Sequence, residues 1–147
     1  MQRRTIGSDG AQRLEKIPLF AELSPGQRQM LARVIDELTA AAGETLMRQG
    51  EPGYEVLILE EGTADVLQDG VRINEMGPGD FFGELAVLEV GAPRSATVVA
   101  SAPLRAIVLT ARFMRDVRER MPDVGEHIDR EADARRERDE RAHGHSG

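Results

Sequence analysis

Cysteine is absent from the 147-residue chain, so a disulfide framework and any thiolate metal site are excluded, and an intracellular setting is permitted. Histidine is scarce. His127, His143 and His145 all lie after the last strand-like stretch, whereas a metal-dependent oxygenase or isomerase of the cupin kind needs several histidine ligands on its strands. Nucleophilic hydrolysis is excluded on the same ground, because no core histidine is left to activate Ser95 or Thr97. The chain is not read as an enzyme, and no cofactor is expected. Long apolar runs are also missing: none approaches the roughly 18 residues that a membrane helix needs. Met1 to Ile6 leads into Gly7-Ser8-Asp9-Gly10, where a secretory leader would need its apolar stretch. Basic residues are outnumbered, 19 Lys and Arg against 26 Asp and Glu for a net charge of -7, which argues against a nucleic-acid surface. The expectation is a soluble, cytoplasmic protein whose single domain is long enough to bury its own core.

What is present is turn punctuation. From Ala40 to Leu109, turns fall at Gly43, at 49–53, at Glu61-Gly62-Thr63, at Asp69-Gly70, at Gly77-Pro78-Gly79 and at Ser101-Ala102-Pro103, leaving strand-length runs between them. Val56-Leu57-Ile58-Leu59 is apolar on both faces, and Ala64 to Leu67 and Val71 to Asn74 alternate. Asp69-Gly70 between the alternating runs is a two-residue hairpin signal. Many short strands at this spacing predict an antiparallel sandwich or jelly roll. Helices flank it. Leu14 to Leu23 form a compact apolar cluster broken by Pro18, and Ser24-Pro25-Gly26-Gln27 is a helix start with a capping box. The spacing predicts that this helix runs on to Leu38 with Met30, Leu31, Val34, Ile35 and Leu38 on its inner face and Arg28, Arg33, Asp36 and Glu37 outside. Thr110 caps a helix bearing Phe113, Met114 and Val117, and Pro122 starts another with Val124, Ile128 and Ala132 on its apolar side. Beyond Asp129, acid-first pairs four apart, such as Glu131 and Arg135, mark a solvated helix.

The stretch from Gly79 to Val98 concentrates the chemistry. Phe81 and Phe82 follow a Pro-Gly-Asp turn, Gly83 permits close backbone approach, and Glu84 to Leu88 make a short helical turn ended by Gly91 and Pro93. The unpaired N–H groups at such a helix start attract phosphate. Arg94 heads the strand Ser95 to Val99, where a guanidinium can hold two phosphate oxygens at once. Glu84 would repel phosphate, so its role is to accept a hydrogen bond from a sugar hydroxyl. Phosphate and ribose hydroxyl together indicate a nucleotide.

In this order, Phe82, Gly83, Glu84, Leu85, Ala86, Pro93, Arg94, Ser95, Ala96 and Thr97 resemble the phosphate-binding cassette of the cyclic nucleotide-binding domain family. The step from Glu84 to Arg94 is one residue longer than in cAMP-kinase regulatory subunits and is similar to that of the bacterial catabolite activator. The resemblance covers about residues 14 to 128 and implies a mainly β protein with flanking α-helices, an antiparallel jelly roll with N-terminal helices and two C-terminal helices. It further implies that Arg94, Ser95 Oγ and the N–H groups of Leu85, Ala86 and Ala96 hold the phosphate, and that Glu84 and Gly83 hold the ribose. The expected ligand is cAMP, with cGMP the other candidate because Ser95 carries a hydroxyl beside the arginine.

No aromatic residue follows Phe113, so the family's aromatic lid over the base lacks a counterpart, and His127 or Ile128 is expected to substitute. The chain is divided into a disordered N-terminus (1–10), a cyclic nucleotide-binding domain (11–130) and a charged helical tail with a disordered end (131–147). The residues after Pro122 suffice for one helix and leave no DNA-reading element. The function expected is that of a stand-alone bacterial-type sensor, a regulatory module in signal transduction that couples binding to movement of its C-terminal helices and signals to an effector protein. The sequence names no effector and sets no oligomeric state. The rival reading is a degenerate domain serving as a ligand-independent interaction scaffold, against which intact Glu84 and Arg94 count.

Overall fold

The computed structural model describes residues 1–7, 10–53, 55–83 and 93–142, apart from the side chains of Ala132 and residues 135–142. In chain order the elements are β1 (Gln2–Thr5), α1 (Ala11–Leu14), α2 (Pro18–Ala21), α3 (Pro25–Ala32), β2 (Asp36–Ala40), β3 (Thr45–Met47), β4 (Glu55–Glu61), β5 (Ala64–Gln68), β6 (Val71–Met76), β7 (Phe81–Phe82), β8 (Thr97–Ala100), β9 (Leu104–Thr110), α4 (Ala111–Arg120) and α5 (Pro122–Ala142). They form a five-stranded sheet ordered β1-β2-β9-β4-β7 and a four-stranded sheet ordered β3-β8-β5-β6. The pairings of the named strands are antiparallel. This is the expected architecture, mainly β with helices before and after the strands.

Side-chain alternation in β4 and β9 explains how the layers stack. Val56, Ile58, Ile107 and Leu109 pack with the helices, while Leu57, Leu59, Ala106 and Val108 pack against the second sheet. The five-stranded sheet is therefore covered on both faces, which is why its two central strands read as continuous apolar runs. The helix-side core includes Leu14, Phe20, Leu31, Met114, Val124 and Ile128. The roll-side core includes Met47, Val66, Met76, Ala96, Val98 and Ala100.

Local signals set several boundaries. Asp69 and Gly70 both take positive φ, 53° and 80°, and join Gln68 to its partner Val71, as a primed two-residue turn requires. Ser24 and Gln27 exchange both capping-box hydrogen bonds, and Thr110 Oγ1 accepts from the Phe113 N–H at 2.9 Å.

Three expectations fail. The helix after Ser24 ends at Ala32 instead of Leu38, because Asp36 to Ala40 pair with β9 and β1. Met30 and Val34 are consequently exposed and line an apolar groove of about 430 Å³ with Phe113, Val117 and Met121. Arg28, expected outside, is buried and donates to the carbonyls of Ala21 and Leu23 at the end of α2. The N-terminus, expected to be loose, instead forms β1 at the sheet edge, where Arg3 pairs with Asp36 and Arg4 with Glu37.

Glu37 is almost fully buried yet charged, since Arg4 and Arg13 both donate to it. Burial pushes its carboxyl up, but the two guanidinium hydrogen bonds outweigh that and hold it below the usual carboxylate range. Arg13 is held strongly protonated, first by its hydrogen bond to Glu60, with burial opposing and Glu37 adding to the effect. Among the described residues, no helix is long and apolar enough to cross a membrane.

Candidate functional site

Arg94 lies between Pro93 and β8, and the backbone around it is clamped to the loop at 49–52. Its N–H donates to the Glu51 carbonyl and its own carbonyl accepts from the Gly50 N–H, each at 2.8 Å. Pro93 bridges to Pro52. The Gln49 N–H donates to Thr97 Oγ1 at 3.0 Å, so this hydroxyl fastens the loop. Gln49 also exchanges two hydrogen bonds with Asp69 at the hairpin turn, at 2.9 and 2.8 Å. Gln68 Nε2 donates to the Ser95 carbonyl at 3.3 Å. The arginine is thus presented from a backbone tied on both sides to neighbouring turns.

The Arg94 side chain is half-buried and packs over Gly53. A Cβ on Gly53 would stand 2.6 Å from Arg94 Nε and 2.7 Å from its Cδ and Cζ, so the absence of a side chain at 53 makes the seat of the guanidinium. Burial pushes the Arg94 pKa down, and the negative charge of Glu55 partly offsets this. Glu55 is itself paired with Arg3 of β1. Among the described residues Arg94 forms no ion pair, and it stays a cation at any physiological pH. A half-desolvated guanidinium on a clamped backbone suits a small anion with two oxygens to offer.

Of the residues expected to bind, Ala96 is buried in the roll core, Ser95 is exposed, and Thr97 is half-buried with its hydroxyl engaged by Gln49. Phe82 is half-buried against the roll core, opposite Leu57, and Phe81 turns toward the helix-side core, opposite Ile58. Gly83 has φ of 111°, and a Cβ there would stand 3.0 Å from Val56 Cγ2 and 3.1 Å from the Glu55 carbonyl. Glycine is therefore required by close packing on β4 as well as by its left-handed backbone. Glu84, Leu85 and Ala86 lie outside the described residues, as do Val87 and Leu88.

The two lid candidates are not brought to this site. Ile128 is fully buried in the helix-side core, across the five-stranded sheet from Ala96 and Val98. His127 is largely buried beside Glu22. Sequence reasoning missed Gly53 and Gln49, reading 49–53 only as a turn. The available signal was a second glycine in a five-residue loop, since Gly50 alone takes the positive φ there.

Comparison with known proteins bears on this geometry. The family model described as the cyclic nucleotide-binding domain matches residues 37–121. The chain is 35% identical over 122 residues to a cAMP-dependent protein kinase regulatory subunit of Aspergillus niger, covering 82% of this chain and 28% of that one. It therefore spans just over a quarter of that relative's length. The crystal structure of a cyclic nucleotide-binding domain from Methylobacillus flagellatus superposes with a TM-score of 0.77 at 25% identity, over 93% of this chain and 84% of the other. The structure of cAMP-bound PfPKA-R matches with a TM-score of 0.63 at 25% identity, over 82% of this chain and 45% of the other. With the fold, the seated Arg94 and the matched span in agreement, the chain belongs to the cyclic nucleotide-binding domain family.

Proposed function

We propose that this domain binds cAMP without chemical conversion and passes the binding event to α4 and α5. The observation that carries the reading is the guanidinium of Arg94, half-buried over Gly53 on a backbone clamped to residues 49–52. Similarity to cAMP-kinase regulatory subunits supports cAMP as the ligand. The cyclic phosphate is assigned to Arg94, Ser95 Oγ and the N–H groups of Leu85, Ala86 and Ala96, and the ribose 2′-hydroxyl to Glu84 and the Gly83 backbone. Ser95 beside the arginine also admits guanine, so cGMP is the second ligand to test.

Signal transmission requires α5 to respond. Val124 and Ile128 hold it in the helix-side core, and exposing either would forfeit about 1.5–3 kcal/mol. A closed form with Ile128 or His127 over the base must offset this by binding the ligand better than the open form does.

Calorimetric titration with cAMP and cGMP, paired with thermal denaturation, tests the proposal. Ligand at a hundredfold excess over its dissociation constant stabilises by about 2.7 kcal/mol, a rise in Tm of roughly 5–10 °C for a chain of this size. Arg94→Ala should cost roughly 2–5 kcal/mol of binding, and Arg94→Lys nearly as much, because the fork is lost. No shift in Tm with either nucleotide at millimolar concentration would favour a ligand-independent interaction scaffold.

A further inference from the structure

The end of α2 and one face of α5 bring together three groups away from the seat of Arg94. Glu22 is the C-cap of α2. His127 and Glu131 are four residues apart on α5 and so share a face. A ligand atom from each lies within 4.8 Å of the other two. The imidazole is poorly served by its surroundings: Nδ1 is 3.9 Å from Glu22 Oε2, too far for a hydrogen bond, and Nε2 is sealed from solvent with no partner among the described residues. Among the described residues the imidazole thus has a sealed, unpartnered Nε2 and an Nδ1 that faces the Glu22 carboxylate without a hydrogen bond to it, with Glu131 as a second carboxylate close by.

We propose that Glu22, His127 and Glu131 form a binding site for a borderline divalent cation, Zn²⁺ foremost. One imidazole nitrogen and two carboxylates suit zinc better than magnesium or calcium, which favour all-oxygen sets. Ligands of a tetrahedral zinc stand roughly 3.3 Å apart, given bonds of about 2.0–2.2 Å. The groups must therefore draw in by about 1.5 Å at most from their present 4.8 Å limit. Glu22 is largely exposed and free to make that movement, and water would complete the coordination. The ion would join α2 to α5 and fix the last helix on the helix layer. Its effect on nucleotide response rests on the function proposed above, but the binding itself does not.

The test uses the full chain carrying His143→Ala and His145→Ala, so that the tail histidines cannot supply ligands. Titration with ZnCl₂, without nucleotide, should show one site by calorimetry and a rise in Tm, and Co²⁺ should give the visible absorption of a low-coordinate nitrogen and oxygen site. His127→Ala should lower zinc affinity at least tenfold, as should Glu22→Gln, whose exposed position leaves folding intact. Glu131→Gln should act in the same direction. The proposal is overturned if the tail-substituted chain binds no zinc, or if Glu22→Gln and His127→Ala bind it unchanged. A zinc site that persists when neither cAMP nor cGMP binds would leave it standing while removing the nucleotide reading.

Discussion

Gly53→Ala is the sharpest probe of the arginine seat. The added methyl would stand 2.6 Å from Arg94 Nε, where ordinary contact begins at 3.4 Å, so the guanidinium must retreat by 3.4 minus 2.6, about 0.8 Å. A charged N–H to phosphate oxygen bond of about 2.7–2.9 Å would lengthen to roughly 3.5 Å or more, the limit beyond which it no longer counts as one. Losing one such bond costs about 1.5–3 kcal/mol, a fall in cAMP affinity of roughly ten- to hundredfold. Folding stability should move the other way. Gly53 does not take a left-handed φ, and alanine at a compatible position stabilises by about 0.4–1 kcal/mol through the unfolded chain. The expected signature is weaker binding by calorimetry with an unchanged or slightly raised Tm in the free protein. Unaltered cAMP affinity in a folded Gly53→Ala variant would refute the seat, and a large drop in Tm would show that the methyl is resisted by the fold instead.

Three further variants have expected outcomes. Because the folded pKa of Glu37 is depressed, its contribution is fully present above the unfolded value of about 4.3. It should be lost as pH falls through the lower folded value, so acid unfolding of Glu37→Gln, followed by circular dichroism, should be less steep there. At neutral pH the same change should destabilise by about 3 kcal/mol, since it leaves the partly buried Arg13 and the largely exposed Arg4 without the buried charge they share. Ile128→Ala should cost roughly 2–5 kcal/mol of stability in the free protein, read by urea denaturation, whereas a purely lid-forming Ile128 would leave the free protein's stability unchanged. Gly62→Ala should destabilise strongly, because its φ is 87° and a Cβ would stand 2.3 Å from the Pro103 carbonyl; the variant's Tm checks this.

Features governed by neighbours in sequence were legible. The Asp69-Gly70 turn, the Ser24 capping box and the Thr110 cap each depend on a few adjacent residues, and each was found where expected. The helix that stops at Ala32 was overextended because Val34, Ile35 and Leu38 fit a helical period although Leu38 belongs to a strand paired with β9. Strand β1 has four exposed residues and no apolar alternation; it exists through pairing with β2, about thirty positions away. The site divides in the same way. Arg94 and Gly83 stand in a compact motif, but Gly53 matters only because Arg94 arrives from forty-one positions further on. Likewise, nothing beside Glu37 in the sequence announces that Arg4 and Arg13 will both donate to it.

The two-faced central sheet has an evolutionary consequence. Successive positions in β4 and β9 answer to different selective pressures, because Leu57, Leu59, Ala106 and Val108 shape the roll while Val56, Ile58, Ile107 and Leu109 shape the helix seat. A lineage can therefore alter the interior of the roll through one set of alternate codons while leaving the helices alone, or adjust the position of those helices through the other set. In a saturation library scored separately for ligand affinity and for helix docking, the two phenotypes would alternate residue by residue along both strands. Mixed effects would gather at Gly83, where the strand backbone of β4 meets the start of the cassette.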